Sequence, residues 1–247
     1  MTAVLAGLVT FGFTLLLSIA GLGAAFILIP VFLALGVEVH TAMATALLLN
    51  AVSMSVASVS FIRNRLVVWK ITWPILVVAV LLSPVGARVS QHLDRTILLW
   101  LFVGFLLFAA SMMLFYTPRP RQTLGSTGAL TGVGVGVGGA AGFLGGLLGV
   151  GGGNIIVPSL AALGLPTKKA SASSAFVVIF ASLAGFASHA TLGGMDYPLL
   201  SLTTAGAAGG ATLGAWLMTD KLNARQVKLL IGVVLLAVAA RMVWNLV

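Results

Sequence analysis

The sequence contains no cysteine, and only three of its 247 residues are histidine and only four are acidic. The absence of cysteine excludes disulfides and thiol chemistry. The histidines, His40, His92 and His189, form no cluster with the spacing of metal ligands. The sequence therefore predicts neither a bound metal nor another cofactor.

Charged residues are also scarce, at 7% of the chain, whereas 60% of it is hydrophobic. Water could not keep such a chain dissolved but lipid would accept it, so the composition predicts an integral membrane protein with the lipid bilayer as partner. The net charge of +9 does not indicate nucleic-acid binding, because the basic residues form small groups between apolar runs. The sequence leaves the oligomeric state undetermined.

The chain consists of two copies of one unit, offset by 128 positions. Gly21 and Gly23 of the first copy correspond to Gly149 and Gly151 of the second, and the match continues without a gap. Each copy contains five apolar runs, and a glycine-rich break separates the first from the second. A pair of such breaks at matching places in two halves is the pattern expected around the binding site of a transporter.

The distribution of Lys and Arg indicates how the chain folds at the breaks. The apolar run 24–36 has 13 residues, and as a helix it would cover only about 20 Å of a hydrocarbon core roughly 30 Å thick. If each break were crossed as one span, the thirteen basic residues would divide seven to six between the two faces. If the chain turns back at each break, ten of the basic residues lie on one face of the membrane, and only Arg88, Arg95 and Arg241 lie on the other. The positive-inside rule favours the second picture. The ten that then share one face are Arg63, Arg65, Lys70, Arg119, Arg121, Lys168, Lys169, Lys221, Arg225 and Lys228.

Turning back at the breaks gives each copy an odd number of crossings, so the second copy enters from the opposite face. The predicted fold class is an all-α polytopic membrane protein with two inverted repeats, each with a Gly-broken, re-entrant helix pair plus three spanning helices. We expect residues 1–118 to form the first transmembrane repeat and residues 127–247 the second. Residues 119–126 would be a cytoplasmic linker, and both termini would lie outside.

The two breaks are the predicted binding sites. Backbone that is freed at membrane depth must be satisfied by protein or by a wet cavity, and the short helix after each break would direct its free N–H groups towards the break. Glycine also lets a ligand approach the backbone, so each break is a candidate site for an oxyanion. The residues concerned are Gly21, Gly23 and Ala24 in the first copy and Gly149, Gly151, Gly152, Gly153 and Asn154 in the second.

Small polar residues follow each break on the next helix. Thr45 and Asn50 lie in the first copy, and Ser173 is the repeat partner of Thr45. These side chains are candidate anion ligands, although hydroxyls in membrane helices often bond to their own carbonyls instead. His189 is a candidate proton carrier, anion ligand or interfacial side chain. All four carboxylates fall near predicted loops, which disfavours a cation substrate.

The segment GLLGVGGGNIIVPSLAALGL, followed by KKASASSA, resembles the motif of the sulfite exporter TauE/SafE family, also called the toluenesulfonate uptake permease family. The first half keeps the spacing but has Ala24 and Ala25 where the family usually shows glycine, so the two breaks need not contribute equally. The stretch GGMDY is also similar to the family pattern. The resemblance implies a multi-pass carrier of the bacterial inner membrane for sulfite, organosulfonates or related sulfur anions.

The sequence therefore predicts a secondary transporter of a small sulfur-containing anion that is held at helix N-termini beside the breaks. The alternatives are a passive anion channel or a non-catalytic membrane subunit of a larger complex. An enzyme is disfavoured, because the dinucleotide-like glycines Gly134, Gly136 and Gly139 lie inside an apolar run rather than after a strand. Which anion moves, in which direction and with which coupling ion are not determined by the sequence.

Overall fold

The computed structural model describes residues 7–8, 10–15, 25–115, 127–189, 197–220, 233, 236–237 and 239–244. All regular structure in these ranges is α-helical. The glycine-rich break of the first copy, with Gly21, Gly23 and Ala24, lies outside the described residues.

Eight helices have defined bounds in the described part of the chain. They are α1 (Ala25–Ala34), α2 (Val39–Arg63), α3 (Trp69–Gln91), α4 (Arg95–Phe115), α5 (Thr127–Leu148), α6 (Gly153–Ala162), α7 (Thr167–His189) and α8 (Tyr197–Asp220).

Five of these helices, α2, α3, α4, α5 and α7, are long and apolar enough to cross a membrane. In contrast, α1 and α6 have ten residues each, which as helices extend only about 15 Å. They are too short to span a hydrocarbon core roughly 30 Å thick. The predicted all-α, polytopic fold class is confirmed, and each short helix lies where the sequence analysis expects one.

Glycines bring α3 and α5 into close contact. A Cβ at Gly142 would lie 2.5 Å from the backbone of Ala79, and a Cβ at Gly138 would lie 2.6 Å from the carbonyl oxygen of Ile75. The contacts advance along both helices in the same direction, so α3 and α5 run parallel. Small residues at such an interface allow two backbones to approach, because lipid supplies no hydrophobic drive for helix association.

The α2 and α7 helices pack side by side in opposite directions. Asn50 contacts Ser182 near the middle of both helices, and His40 at the start of α2 stacks on His189 at the end of α7. These two helices occupy corresponding positions in the two copies of the repeat. This one pair of repeat partners therefore crosses the bundle in opposite directions.

The second copy turns back on itself at its break. The Val68 N–H at the start of α3 donates to the hydroxyl of Ser173 near the start of α7, and Ser83 further along α3 donates to the carbonyl oxygen of Ala181. Thus α7 is parallel to α3, and therefore to α5. Because α5 and α7 begin at the same end of the bundle, the chain leaves this end in α5 and has returned to it by the start of α7.

The two halves exchange packing partners. From the first half, α3 packs on α5 and α7 of the second half. From the second half, α8 packs on α2 and, through Gly206 and Gly210, on the backbone of Gly7 and Phe11. The core is therefore shared between the copies, and neither copy buries its helices alone. The boundaries at 118 and 127 stay predictions.

We expect Gly142→Ala to destabilise the protein by about 1–3 kcal/mol, because the added methyl group overpacks the α3–α5 contact. The matched control is Gly136→Ala on the same helix, where a Cβ would meet nothing within 4 Å. Thermal unfolding in detergent measures both. Equal melting temperatures for the two variants would contradict this account of the interface.

Candidate functional site

The break of the second copy depends on glycine backbone geometry. Gly149, Gly151 and Gly152 have φ angles of 70°, 75° and 77°, in the left-handed region that favours glycine. The N–H groups of Val150 and Gly151 donate to the carbonyl oxygen of Gly145, at 2.9 and 3.3 Å, and so close the end of α5. After this turn the chain begins α6 at Gly153.

The break is enclosed by three spanning helices. A Cβ at Gly151 would lie 2.5 Å from both Asn50 Nδ2 of α2 and Ser182 Oγ of α7. A Cβ at Gly152 would lie 2.4 Å from the carbonyl oxygen of Ala141 in α5, and one at Gly149 would meet Met43 of α2. The glycines therefore provide both the backbone conformation and the room for the break between these helices.

The start of α6 carries unused hydrogen-bonding groups. Within the described part of the chain, the N–H groups of Gly152, Gly153 and Asn154 make no hydrogen bond. The side chain of Asn154 is 3% exposed, and neither its Oδ1 nor its Nδ2 has a partner there. Buried polar groups are normally paired, and each that is not costs free energy. The start of α6 therefore holds buried hydrogen-bonding groups that have no partner in the described structure.

A buried polar contact lies against the other side of the break. Asn50 Nδ2 donates to Ser182 Oγ at 3.1 Å, and both residues are 0% exposed. The Oδ1 of Asn50 is buried without a partner in the described ranges. Since Asn50 lies near the middle of α2, this contact and the break are at mid-depth in the bundle.

Two other predicted site residues, Thr45 and Ser173, lie at different levels. Thr45 is buried on α2, between the levels of the break contacts at Met43 and Asn50. The hydroxyl of Ser173 accepts the Val68 N–H at 2.9 Å, roughly 14 Å along α7 from Ser182. The structure thus brings Asn50 to the break but not Ser173. The substrate-binding role of each residue stays a prediction.

His189 is buried, at 1% exposure, rather than presented at a membrane interface. Its Nε2 lies 2.9 Å from the carbonyl oxygen of Gly146, in the last turn of α5. The ring therefore belongs to the interior beside the break. In the sequence His189 lies near the end of an apolar run, and such a run does not show which neighbouring helix packs against its end. The burial of His189 could therefore not be predicted from the sequence.

Sequence reasoning missed Ser182. Its repeat partner is Met54, an apolar residue, so the internal repeat did not mark Ser182 as a candidate site residue. The one signal was a hydroxyl in the centre of an apolar run, and such hydroxyls commonly bond to their own helix. Its contact with Asn50 depends on how α2 and α7 pack, which the sequence does not show.

A multi-pass helical bundle with a helix broken near mid-depth, and with unpaired polar groups buried beside the break, is typical of membrane transporters. The chain belongs to the sulfite exporter TauE/SafE family, whose model matches residues 5–242. It is also 25% identical over 253 residues to the "Probable membrane transporter protein YunE" of Bacillus subtilis (strain 168), and the match covers 92% of each chain.

The predicted family is therefore confirmed. The chain is a multi-pass protein of the bacterial inner membrane and a membrane transporter whose general class is the transport of sulfur anions. The family is one of transporters rather than enzymes.

We expect Ser182→Ala to lower stability by about 1–3 kcal/mol, because it leaves the buried Nδ2 of Asn50 without an acceptor. The control is Ser55→Ala in α2, since in the described structure the Ser55 hydroxyl bonds only to Ala51 of its own helix and the side chain is exposed. Thermal unfolding of both proteins in detergent tests this. A Ser182→Ala protein as stable as the control would show that the contact contributes nothing.

Proposed function

We propose that this protein is a secondary transporter of small sulfur oxyanions, such as sulfite or an organosulfonate, and that it binds them at the N-terminus of α6. The observation that carries this proposal is the set of unused donors there: the N–H groups of Gly152, Gly153 and Asn154 and the side-chain amide of Asn154.

The physical support comes from the helix end. The first N–H groups of a helix have no intrahelical partner and carry the positive end of the helix dipole, which attracts an anion. The Asn154 side chain adds a neutral donor beside them. An oxyanion presents several acceptor oxygens and could satisfy these donors together, which removes the cost of burying them unpaired.

The charges of the chain fit an anion that must be released again. Every Lys and Arg among the described side chains is exposed, and so are Glu38 and Asp94. An anion at α6 would thus be held by amides and a helix dipole rather than by a buried ion pair. Such a site neither repels the anion with a carboxylate nor retains it with a fixed cation.

We further propose that the two halves work as inverted repeats. The opposite directions of α2 and α7, which are repeat partners, support this relation, as does the exchange of packing partners between the halves. Alternating access would then come from rocking of one half against the other around a site at mid-depth. The first break, with Gly21, Gly23 and Ala24, would supply the corresponding second half-site.

We expect Asn154→Leu to weaken sulfite binding by about 1.5–3 kcal/mol, roughly tenfold or more in Kd, because it removes a hydrogen bond to a charged ligand. The same change removes an unpaired buried amide, so the protein without ligand should melt at a higher temperature. Ser159→Ala on the same helix, where the hydroxyl bonds to Ile155, is the control.

Calorimetry with sulfite and with methanesulfonate measures the affinity, and flux into proteoliposomes measures transport. Saturable uptake would support a carrier, whereas uptake that rises linearly with concentration would favour a channel. An unchanged Kd in Asn154→Leu would exclude this residue from the site.

The inverted-repeat topology predicts that Asn64 and Gln122 are cytoplasmic and that Asp94 faces outside. The native chain has no cysteine, so single cysteines at these positions can be probed in intact cells with an impermeant maleimide. We expect labelling at position 94 only. Labelling of position 64 or 122 from outside would contradict the topology.

A further inference from the structure

A histidine pair lies at the end of the bundle where α2 begins and α7 ends. The rings of His40 and His189 stack, with their centroids 5.9 Å apart and their planes at 28°. His40 is partly exposed, whereas His189 is 1% exposed. The pair therefore connects the surface at this end of the bundle with its interior.

The hydrogen bond to Gly146 determines which nitrogen of His189 can take up a proton. A carbonyl oxygen only accepts hydrogen bonds, so Nε2 of His189 carries a hydrogen and donates to it. In the neutral ring the lone pair is then on Nδ1. Within the described part of the chain, this Nδ1 and the Nδ1 of His40 are buried and have no hydrogen-bond partner.

The carbonyl that holds His189 belongs to the turn that ends at the break. The neighbouring residue, Gly145, accepts hydrogen bonds from the N–H groups of Val150 and Gly151 through its own carbonyl. A Cβ on Gly145 would lie 2.6 Å from the backbone nitrogen of Gly152, one of the free donors. The last turn of α5 therefore contacts the histidine on one side and the start of the proposed anion site on the other.

The charged and titratable groups around the pair are few. On the α2 side Glu38 precedes His40 and acts electrostatically on both rings. Burial opposes the ionisation of Glu38, but hydrogen bonds from the backbone N–H groups of His40 and Thr41 outweigh it and lower the pKa of this carboxyl. On α3, Arg88 and His92 are exposed in and just after the last turn. The last turn of α5 has no titratable side chain, and Asp196 lies outside the described residues.

We propose that His40 and His189 form a proton-binding site that couples anion transport to proton movement in the same direction. This inference rests on the proposed function. A proton that enters from the surface is held at the Nδ1 lone pair of His189, which has no partner in the described structure, and the negative charge of Glu38 attracts it. Two imidazolium rings at this separation repel each other, so the pair holds one proton at a time.

The coupling follows from charge. A protonated His189 places a positive charge next to the turn that positions the free N–H groups, and it therefore favours an anion there. By linkage, a bound anion increases the proton affinity of the pair by the same factor. The loaded carrier then moves a monoanion and a proton together, with no net charge.

The first experiment measures uptake of sulfite and of methanesulfonate into proteoliposomes with and without an inward proton gradient. Methanesulfonate remains a monoanion throughout, so any proton that moves with it has been carried by the protein. With an inward gradient of about one pH unit we expect accumulation to rise by up to about tenfold, because one proton moving with each anion contributes about 1.4 kcal/mol. Absence of uptake of both anions would overturn the proposed function, whereas uptake that ignores the gradient would overturn only the coupling.

The second experiment tests which residues carry the coupling. It compares His189→Gln and His40→Gln with the control His92→Gln. In the described structure the His92 ring contacts only Arg88, in the preceding turn. Glutamine at 189 can still donate to Gly146 but cannot titrate. We expect the first two variants to lose the response to the gradient, while His92→Gln behaves as the wild type. A gradient response retained in His189→Gln would overturn the assignment.

Ring-nitrogen NMR of the wild-type protein keeps the test valid if a variant fails to fold. With histidine labelled with ¹⁵N, we expect added methanesulfonate to shift the titration of His189 towards higher pH and to leave that of His92 unchanged. A titration of His189 that does not respond to the anion would overturn the proposal.

Discussion

The structure depends on one constraint: backbone that leaves a helix inside a membrane must find its hydrogen bonds within the protein. The break after α5 meets this constraint on one side only. Its first N–H groups close the end of α5 on the carbonyl of Gly145, while those at the start of α6 are left without partners in the described structure. The three left-handed glycines make this division possible, because only glycine adopts the turn easily and leaves room between the helices.

The constraint extends to the rest of the bundle. A break at mid-depth needs spanning helices close around it, and the contacts that hold them together are short and polar. Glycines of α5 contact the backbone of α3, Ser83 of α3 donates to the carbonyl of Ala181 in α7, and Asn50 of α2 donates to Ser182. In lipid, close backbone packing and interhelical hydrogen bonds replace the hydrophobic drive that operates in water.

The sequence predicted what is local in the chain. Glycine spacing revealed the break, and the 13-residue run revealed a helix too short to span. Asn50 was singled out as a small polar residue on the helix after the first break, and Asn154 as part of the second break. Pairings between distant helices could not be read from it. Ser173 contacts the start of α3, and Ser182 rather than a repeat-matched hydroxyl meets Asn50. These partners depend on how the helices pack. An apolar run in a membrane protein does not show which of its faces contacts which neighbouring helix.

The described interior of the bundle contains no fixed positive charge. All Lys and Arg side chains that the structure describes are exposed, and His189 is the titratable side chain buried among the described residues. An anion that enters this interior therefore meets helix dipoles and amides, which attract it but do not cancel its charge. Uncompensated charge at membrane depth is costly. In the proposed cycle, a proton on His189 supplies a positive charge that can be added when the anion binds and removed when it leaves.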